Sequence, residues 1–178
     1  MKRAIMFLTD GFEETEAIVT ADILRRAGVE VELASITGKR EVTGSHEITV
    51  TADSVFIGDI DADMLILPGG PGAEAFLRNQ ALTEVLTRRH NQGKYLCAIC
   101  AAPVTLGKLG LLKDKAATCY PSMMDELNAA VFRTDMVVTD GNITTARGPG
   151  ASAAFGLKLA EILVGPEEMM RVKEAMLL

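Results

Sequence analysis

The chain has 178 residues, of which 48% are hydrophobic, 24% charged and 4% aromatic, with no Trp and a formal net charge of −6. That size and balance suit one soluble domain, residues 1–178, with a core of Leu, Ile, Val, Ala and Met that needs neither disulfide nor metal to hold it. The acidic balance without a dense Lys/Arg stripe excludes nucleic acid as the main ligand, and the apolar runs fall far short of the ~20 residues that span a membrane.

The first segment, MKRAIMFLTDGFEE, begins like a signal peptide, but its apolar stretch runs at once into Asp10 and Glu13, so a cytoplasmic protein is expected. Arg3–Leu8 reads as a buried strand closed by Thr9-Asp10-Gly11. Glu14–Ala27 reads as a helix with Ala17, Ile18, Ala21 and Leu24 along one face and Gly28 as its stop. Val29–Ser35 alternates as a strand, and Gly38 to Ile60 holds short β pieces and turns. Met64–Leu67 is a second buried strand ending in Pro68-Gly69-Gly70. Then follow a helix over Leu82–Asn91, a strand over Tyr95–Ile99 and a helix over Ala101–Leu109. Ala116–Cys119 is read as a short strand and Met123–Ala129 as a helix. Met136–Thr139 and Ile143–Ala146 form a hairpin around Asp140-Gly141. The helix Ser152–Val164 is followed by one that starts on Pro166.

This alternation predicts an α/β fold: a mostly parallel sheet with helices on both faces and its site beyond the carboxyl ends of the strands. Three strand ends carry chemistry there: Asp10 to Glu16, Pro68-Gly69-Gly70 and Cys100-Ala101-Ala102-Pro103. Cys100 follows a strand and opens a helix among small neighbours, as a nucleophile elbow requires. A thiol so placed sees a helix N-terminus and free N–H groups, which favour thiolate. Cys97 and Cys100 make a C-x-x-C, but Cys97 lies inside the strand. Three residues of strand span about 10 Å and present opposite faces, whereas a disulfide needs Cα atoms within about 7 Å. A redox pair is not expected, nor is zinc, with three Cys and two His at scattered spacing.

Glu13 and Glu14 suit the first turn of a helix by charge alone. Glu16 is a candidate partner for Cys100, either as hydrogen-bond donor when protonated or as base when ionised. Gly69 and Gly70 let backbone approach a ligand, and their N–H groups with that of Ala101 can build an oxyanion site. His90 ends a polar helix and reads as solvated. His46, in a turn-rich stretch, reads as surface with a site role open, so no histidine obviously pairs with Cys100.

The segments GFEETEA, LPGGPGAE, CAICAAP and TARGPG, in that order and across essentially the whole chain, resemble the ThiJ/PfpI superfamily, in particular the branch of the parkinsonism-associated deglycase and its bacterial relatives. The resemblance implies a flavodoxin-like three-layer sandwich and a homodimer. It makes Cys100 the reactive residue, Glu16 its hydrogen-bond partner, and the backbone at Gly70 and Ala101 the oxyanion site. Three departures stand out. The protease branch has His where this chain has Ala101; many deglycase-branch members have His where it has Tyr120; and several have Arg where it has His46, whose implied partner is Arg26. His46 is then a pH-dependent anion contact.

The function expected is a cofactor-independent stress-response enzyme in which Cys100 attacks a small aldehyde or glycated substrate, in the manner of a glyoxalase or deglycase, with Glu16 shuttling the proton. The alternatives are a redox sensor or chaperone in which Cys100 oxidises to sulfinic acid without turnover, and, less favoured for want of a histidine, an amidase or peptidase.

Overall fold

Every residue of Met64–Leu67 is buried, as is every residue from Leu96 to Ile99. Strands of that kind are stable only where helices cover both faces of a sheet. A computed structural model, describing residues 1–58 and 60–178, has this arrangement. Its strands are β1 (Arg3–Leu8), β2 (Glu30–Ser35), β3 (Glu41–Thr43), β4 (Thr49–Thr51), β5 (Ser54–Val55), β6 (Met64–Leu67), β7 (Tyr95–Ile99), β8 (Ala116–Ala117), β9 (Val131–Phe132), β10 (Val137–Asp140) and β11 (Ile143–Ala146). Its α-helices are α1 (Glu14–Arg26), α2 (Glu74–Arg78), α3 (Gln80–Asn91), α4 (Pro103–Lys108), α5 (Ser152–Val164) and α6 (Pro166–Ala175).

The main sheet runs β10-β11-β7-β6-β1-β2-β5. All neighbours are parallel except the β10–β11 hairpin at one edge. Period-2 alternation divides the central strands between two cores. Ala4, Met6, Leu8, Met64, Ile66, Cys97 and Ile99 pack with Leu24 of α1 and Phe155 and Leu159 of α5. Ile5, Phe7, Leu65, Leu67, Leu96 and Ala98 pack on the other side with Phe76 of α2, Leu82 and Leu86 of α3 and Leu106 of α4. The result is the flavodoxin-like α/β sandwich. Among the described residues no helix is long and apolar enough to cross a membrane.

Several local expectations are corrected. Ile18 does not join the buried face of α1 but is 42% exposed, and Ile23 is fully buried instead, its side chain closing on Gly156 of α5. The segment after Tyr120 is a 3₁₀ helix over Pro121–Glu126 rather than an α-helix over Met123–Ala129. The helix after Cys100 begins only at Pro103 and has six residues, because Ala101 and Ala102 belong to the turn itself. Pro71–Arg78, unassigned from sequence, forms a 3₁₀ turn running into α2.

A candidate active site at the ends of the central strands

Parallel order places β1, β6 and β7 side by side, so the three segments that follow them meet at one edge. Backbone hydrogen bonds stitch them together: Glu13 N–H donates to Gly69 O at 3.0 Å and Gly72 N–H to Gly11 O at 3.0 Å. Gly69 and Gly70 are demanded by this crowding. A Cβ on Gly69 would stand 2.6 Å from Cys100 Cβ and 2.8 Å from Glu16 Oε2; one on Gly70, whose φ is +93°, would stand 2.5 Å from Gly11 O.

Cys100 itself has φ +65°, a left-handed conformation rare for a residue with a side chain. It is held there from both sides. Its N–H donates to Ala146 O at 2.9 Å, and its carbonyl accepts from Tyr120 N–H at 2.8 Å. Backbone conformations of this sort persist where the surroundings over-determine them, and they concentrate at functional positions. The turn also changes the expected geometry of the cysteines. Because β7 ends at Ile99, Cys100 is no longer in strand alternation and joins the same core layer as Cys97, not the opposite one. All three cysteines are free thiols. Cys100 is 8% exposed and lines a cleft, whereas Cys97 and Cys119 are at 1% and 0%.

Glu16 is 0% exposed, in the first turn of α1. The side chain of Glu13 caps that helix, accepting from Glu16 N–H at 2.7 Å, which fixes where Glu16 starts. Glu16 Oε2 accepts from Gly69 N–H at 2.7 Å. Its Oε1 is buried with no partner of good hydrogen-bond geometry, and the neighbour that the carboxyl perturbs, and is perturbed by, is the Cys100 thiol. Burial pushes the Glu16 carboxyl up to about 7. Burial likewise pushes the Cys100 thiol up to about 12, the Glu16 charge and hydrogen bond adding to it, while the N–H groups of Gly70 and Ala101 act the other way. Two negative charges in contact in a buried site are strongly unfavourable, so loss of the Cys100 proton is coupled to protonation of Glu16. A thiolate at Cys100 is therefore tied to a protonated Glu16. The expectation that the helix N-terminus and free N–H groups favour thiolate is met only in part: the N–H groups of Gly70 and Ala101 do push that way, but a six-residue helix offers little dipole, and burial outweighs them.

The remaining candidates divide. Gly70 and Ala101 both turn their N–H groups toward the sulfur, but that of Gly69 is already spent on Glu16. Tyr120 lines the cleft and anchors Cys100 through its main chain. His46 also lines the cleft, but its partner is Glu14, not Arg26. His46 Nδ1 lies 2.9 Å from Glu14 Oε2 and its N–H donates to Glu14 Oε1 at 2.7 Å. Arg26 sits at the far end of α1 from Glu16, paired with Asp22 at 2.7 Å, and does not line the cleft of this chain. His90 is not fully solvated but half-buried beside Asn142.

Glu14 was missed as more than a dipole partner. Although burial opposes it, hydrogen bonds from His46 and Ile48 hold its carboxyl at about 2, and in return it raises His46 above its usual value. The two residues lie 32 positions apart, and no local pattern links them. Ligand atoms of Glu13, Glu14 and His46 lie within 4.8 Å of one another. Glu13 Oε2 and both Glu14 oxygens are already engaged by Glu16 N–H, Ser45, His46 and Ile48.

The cleft beside Cys100 has a volume of about 880 Å³ and a mostly apolar lining. It can therefore hold a small carbonyl compound against Cys100 and the backbone at Gly70 and Ala101, with Glu16 buried behind the sulfur.

Residues 2–162 match the model of the DJ-1/PfpI family. The chain is 37% identical to the protein dj-1beta of Drosophila melanogaster over 181 residues, covering 99% of this chain and 97% of that one. It is 33% identical over 165 residues to a deglycase of Pyrococcus abyssi, covering 90% and 99%. The crystal structure of Drosophila DJ-1beta superposes with a TM-score of 0.95, covering 99% of this chain and 98% of that one. An oxidized Toxoplasma gondii DJ-1 superposes with 0.96 at 34% identity, with the same coverage.

Proposed function

The chain belongs to the DJ-1/PfpI family, and we propose that it is a cofactor-independent enzyme of small reactive carbonyls, of the glyoxalase or deglycase type, with Cys100 as nucleophile and Glu16 as proton shuttle. The observation that carries this reading is the buried Glu16 carboxyl, lifted to about 7, in contact with the only cysteine that opens on the cleft. A group titrating near neutrality both gives and takes a proton at working pH. The archaeal relative that bears the name deglycase supports the same class of reaction.

The reaction on methylglyoxal runs as follows. The Cys100 sulfur forms a bond to the aldehyde carbon as its thiol proton passes to the Glu16 carboxylate. The carbonyl π pair becomes an alkoxide beside the Gly70 and Ala101 N–H groups and takes the proton from Glu16, giving a hemithioacetal. Glu16, again a carboxylate, removes the C–H proton of that carbon to give an enediolate, then returns it to the neighbouring carbon while the hydroxyl proton of the former aldehyde carbon passes to the neighbouring oxygen, leaving a C=O beside the sulfur. The product is a thioester of a hydroxy acid. Water cleaves it, releasing lactate and restoring the thiol. The former aldehyde carbon is oxidised and its neighbour reduced, so no external electron carrier is needed. Mass spectrometry of protein quenched during turnover tests this: an adduct is expected on the Cys100 peptide, and turnover with no adduct on that peptide would overturn it.

A second reading rests on the difference in exposure among the thiols. Cys100 alone faces the cleft, so peroxide reaches it before Cys97 or Cys119. The same N–H groups and a protonated Glu16 suit a sulfinate, formed as two peroxides are reduced to water. Assembly as a homodimer is part of the proposal, to be read from the solution mass.

A further inference from the structure

The cleft is far larger than the substrate that best tests the chemistry. Methylglyoxal carries only a methyl beyond its two carbonyl carbons, whereas cavities of about 300–1,000 Å³ hold ligands of drug size. The 880 Å³ extends away from Cys100 between α2, α4 and the 3₁₀ segment Pro121–Glu126. Leu77 of α2, Val104 of α4, Met123 and Tyr120 line it. Leu77 and Met123 are half-buried, and Tyr120 is exposed, so part of this apolar wall faces solvent.

The charged groups at this end do not ask for a charged ligand. Arg78 is paired with Glu74 at 3.3 Å, and Lys108 with Glu126 at 2.5 Å. Each cation on the rim is neutralised by its own neighbour, and the second pair ties α4 to the 3₁₀ segment across the apolar strip.

We propose that this strip is a specificity subsite for an uncharged apolar tail, so that the preferred substrates are α-oxoaldehydes bearing a medium-length alkyl or aryl group rather than methylglyoxal itself. The inference rests on Cys100 chemistry for its reaction but not for its binding. The tail lies along Leu77, Val104 and Met123 while the carbonyl end meets Cys100. Each methylene that leaves water entirely favours binding roughly fourfold.

Two measurements separate the subsite from the reaction. The first is kcat/KM for n-alkylglyoxals from methyl to hexyl. The expected rise is about tenfold or more, allowing for incomplete burial, and the hexyl-to-methyl ratio falls in Met123→Asp and in Leu77→Asp. The second needs no turnover: the rate at which N-alkylmaleimides of increasing chain length label Cys100, read at that peptide and normalised to a small free thiol. A rate that climbs with chain length supports the subsite even where no glyoxal is turned over, a result that would remove only the proposed reaction. Labelling independent of chain length overturns the subsite, whatever the activity on methylglyoxal.

Discussion

Gly69 and Cys100 stand so close that a methyl group on the first would lie 2.6 Å from Cβ of the second. The same methyl would meet Glu16 Oε2 and Ile99 O, each at 2.8 Å. Three elements thus converge where only a hydrogen atom fits. Gly69→Ala must push Cys100 or Glu16 away, at about 1–3 kcal/mol of stability. Its expected signature is a lowered Tm together with a changed rate of Cys100 alkylation. A variant that keeps both would mean that the turn has room this structure does not contain.

Glu16 also sets a pH dependence of stability. Its carboxyl lies at about 7 when folded, against an ordinary 4.5. A raised acid stabilises the fold fully below its unfolded value, and that contribution is lost as pH rises through about 7. Glu16→Gln removes the charge that must be buried while keeping an oxygen to accept from Gly69 N–H. The variant is expected to melt above the wild type near pH ~8, by on the order of a few kcal/mol, with the gap closing near pH ~5. Melting curves at the two pH values check it; a gap of the same size at both would mean that Glu16 does not titrate there.

The same variant separates proton transfer from nucleophilicity. An amide cannot carry a proton between carbon and oxygen, so Glu16→Gln should lose about 10²–10⁴ in kcat on methylglyoxal. Cys100 remains in place, and iodoacetamide still labels it. Labelling without turnover is the expected pair of results. Full turnover in this variant would take the shuttle away from Glu16.

Glu14 and His46 make a second coupled pair at the cleft mouth. Glu14 raises the His46 pKa through a hydrogen bond to the ring and through its charge. An NMR titration of His46 is therefore expected to fall above the ordinary value of 6.5 in the wild type, and to return toward it in Glu14→Gln. In the other direction, Glu14 is depressed to about 2. Its contribution to stability is present above its unfolded value and is lost as pH falls toward that figure.

Much of the frame was legible because the central strands advertise themselves. Arg3–Leu8, Met64–Leu67 and Tyr95–Ile99 are apolar runs bounded by turn residues, and their limits in the structure are those read from sequence. The small residues around Cys100 announced a tight turn for a steric reason, and φ +65° is that turn. Other features depend on distant partners. Ile18 is as apolar as Ile23, and only the position of α5 decides which of them is buried. Two-residue pairings such as β8 with β9 leave no periodicity to read. Arg26 was drawn to the site by resemblance alone, and the length of α1 keeps it away within this chain. The thiol's electrostatic setting depends on the burial of Glu16, which one glutamate among the three that open α1 does not reveal.

In the proposed reaction Cys100 and Glu16 act together on a carbonyl carbon. Their joint action is read by following methylglyoxal loss and lactate formation with wild type, Cys100→Ser and Glu16→Gln side by side, each first verified as folded. Lactate matching the methylglyoxal consumed by the wild type, with at least a ~100-fold loss in both variants, is the predicted result. Lactate produced by Cys100→Ser at the wild-type rate would contradict it.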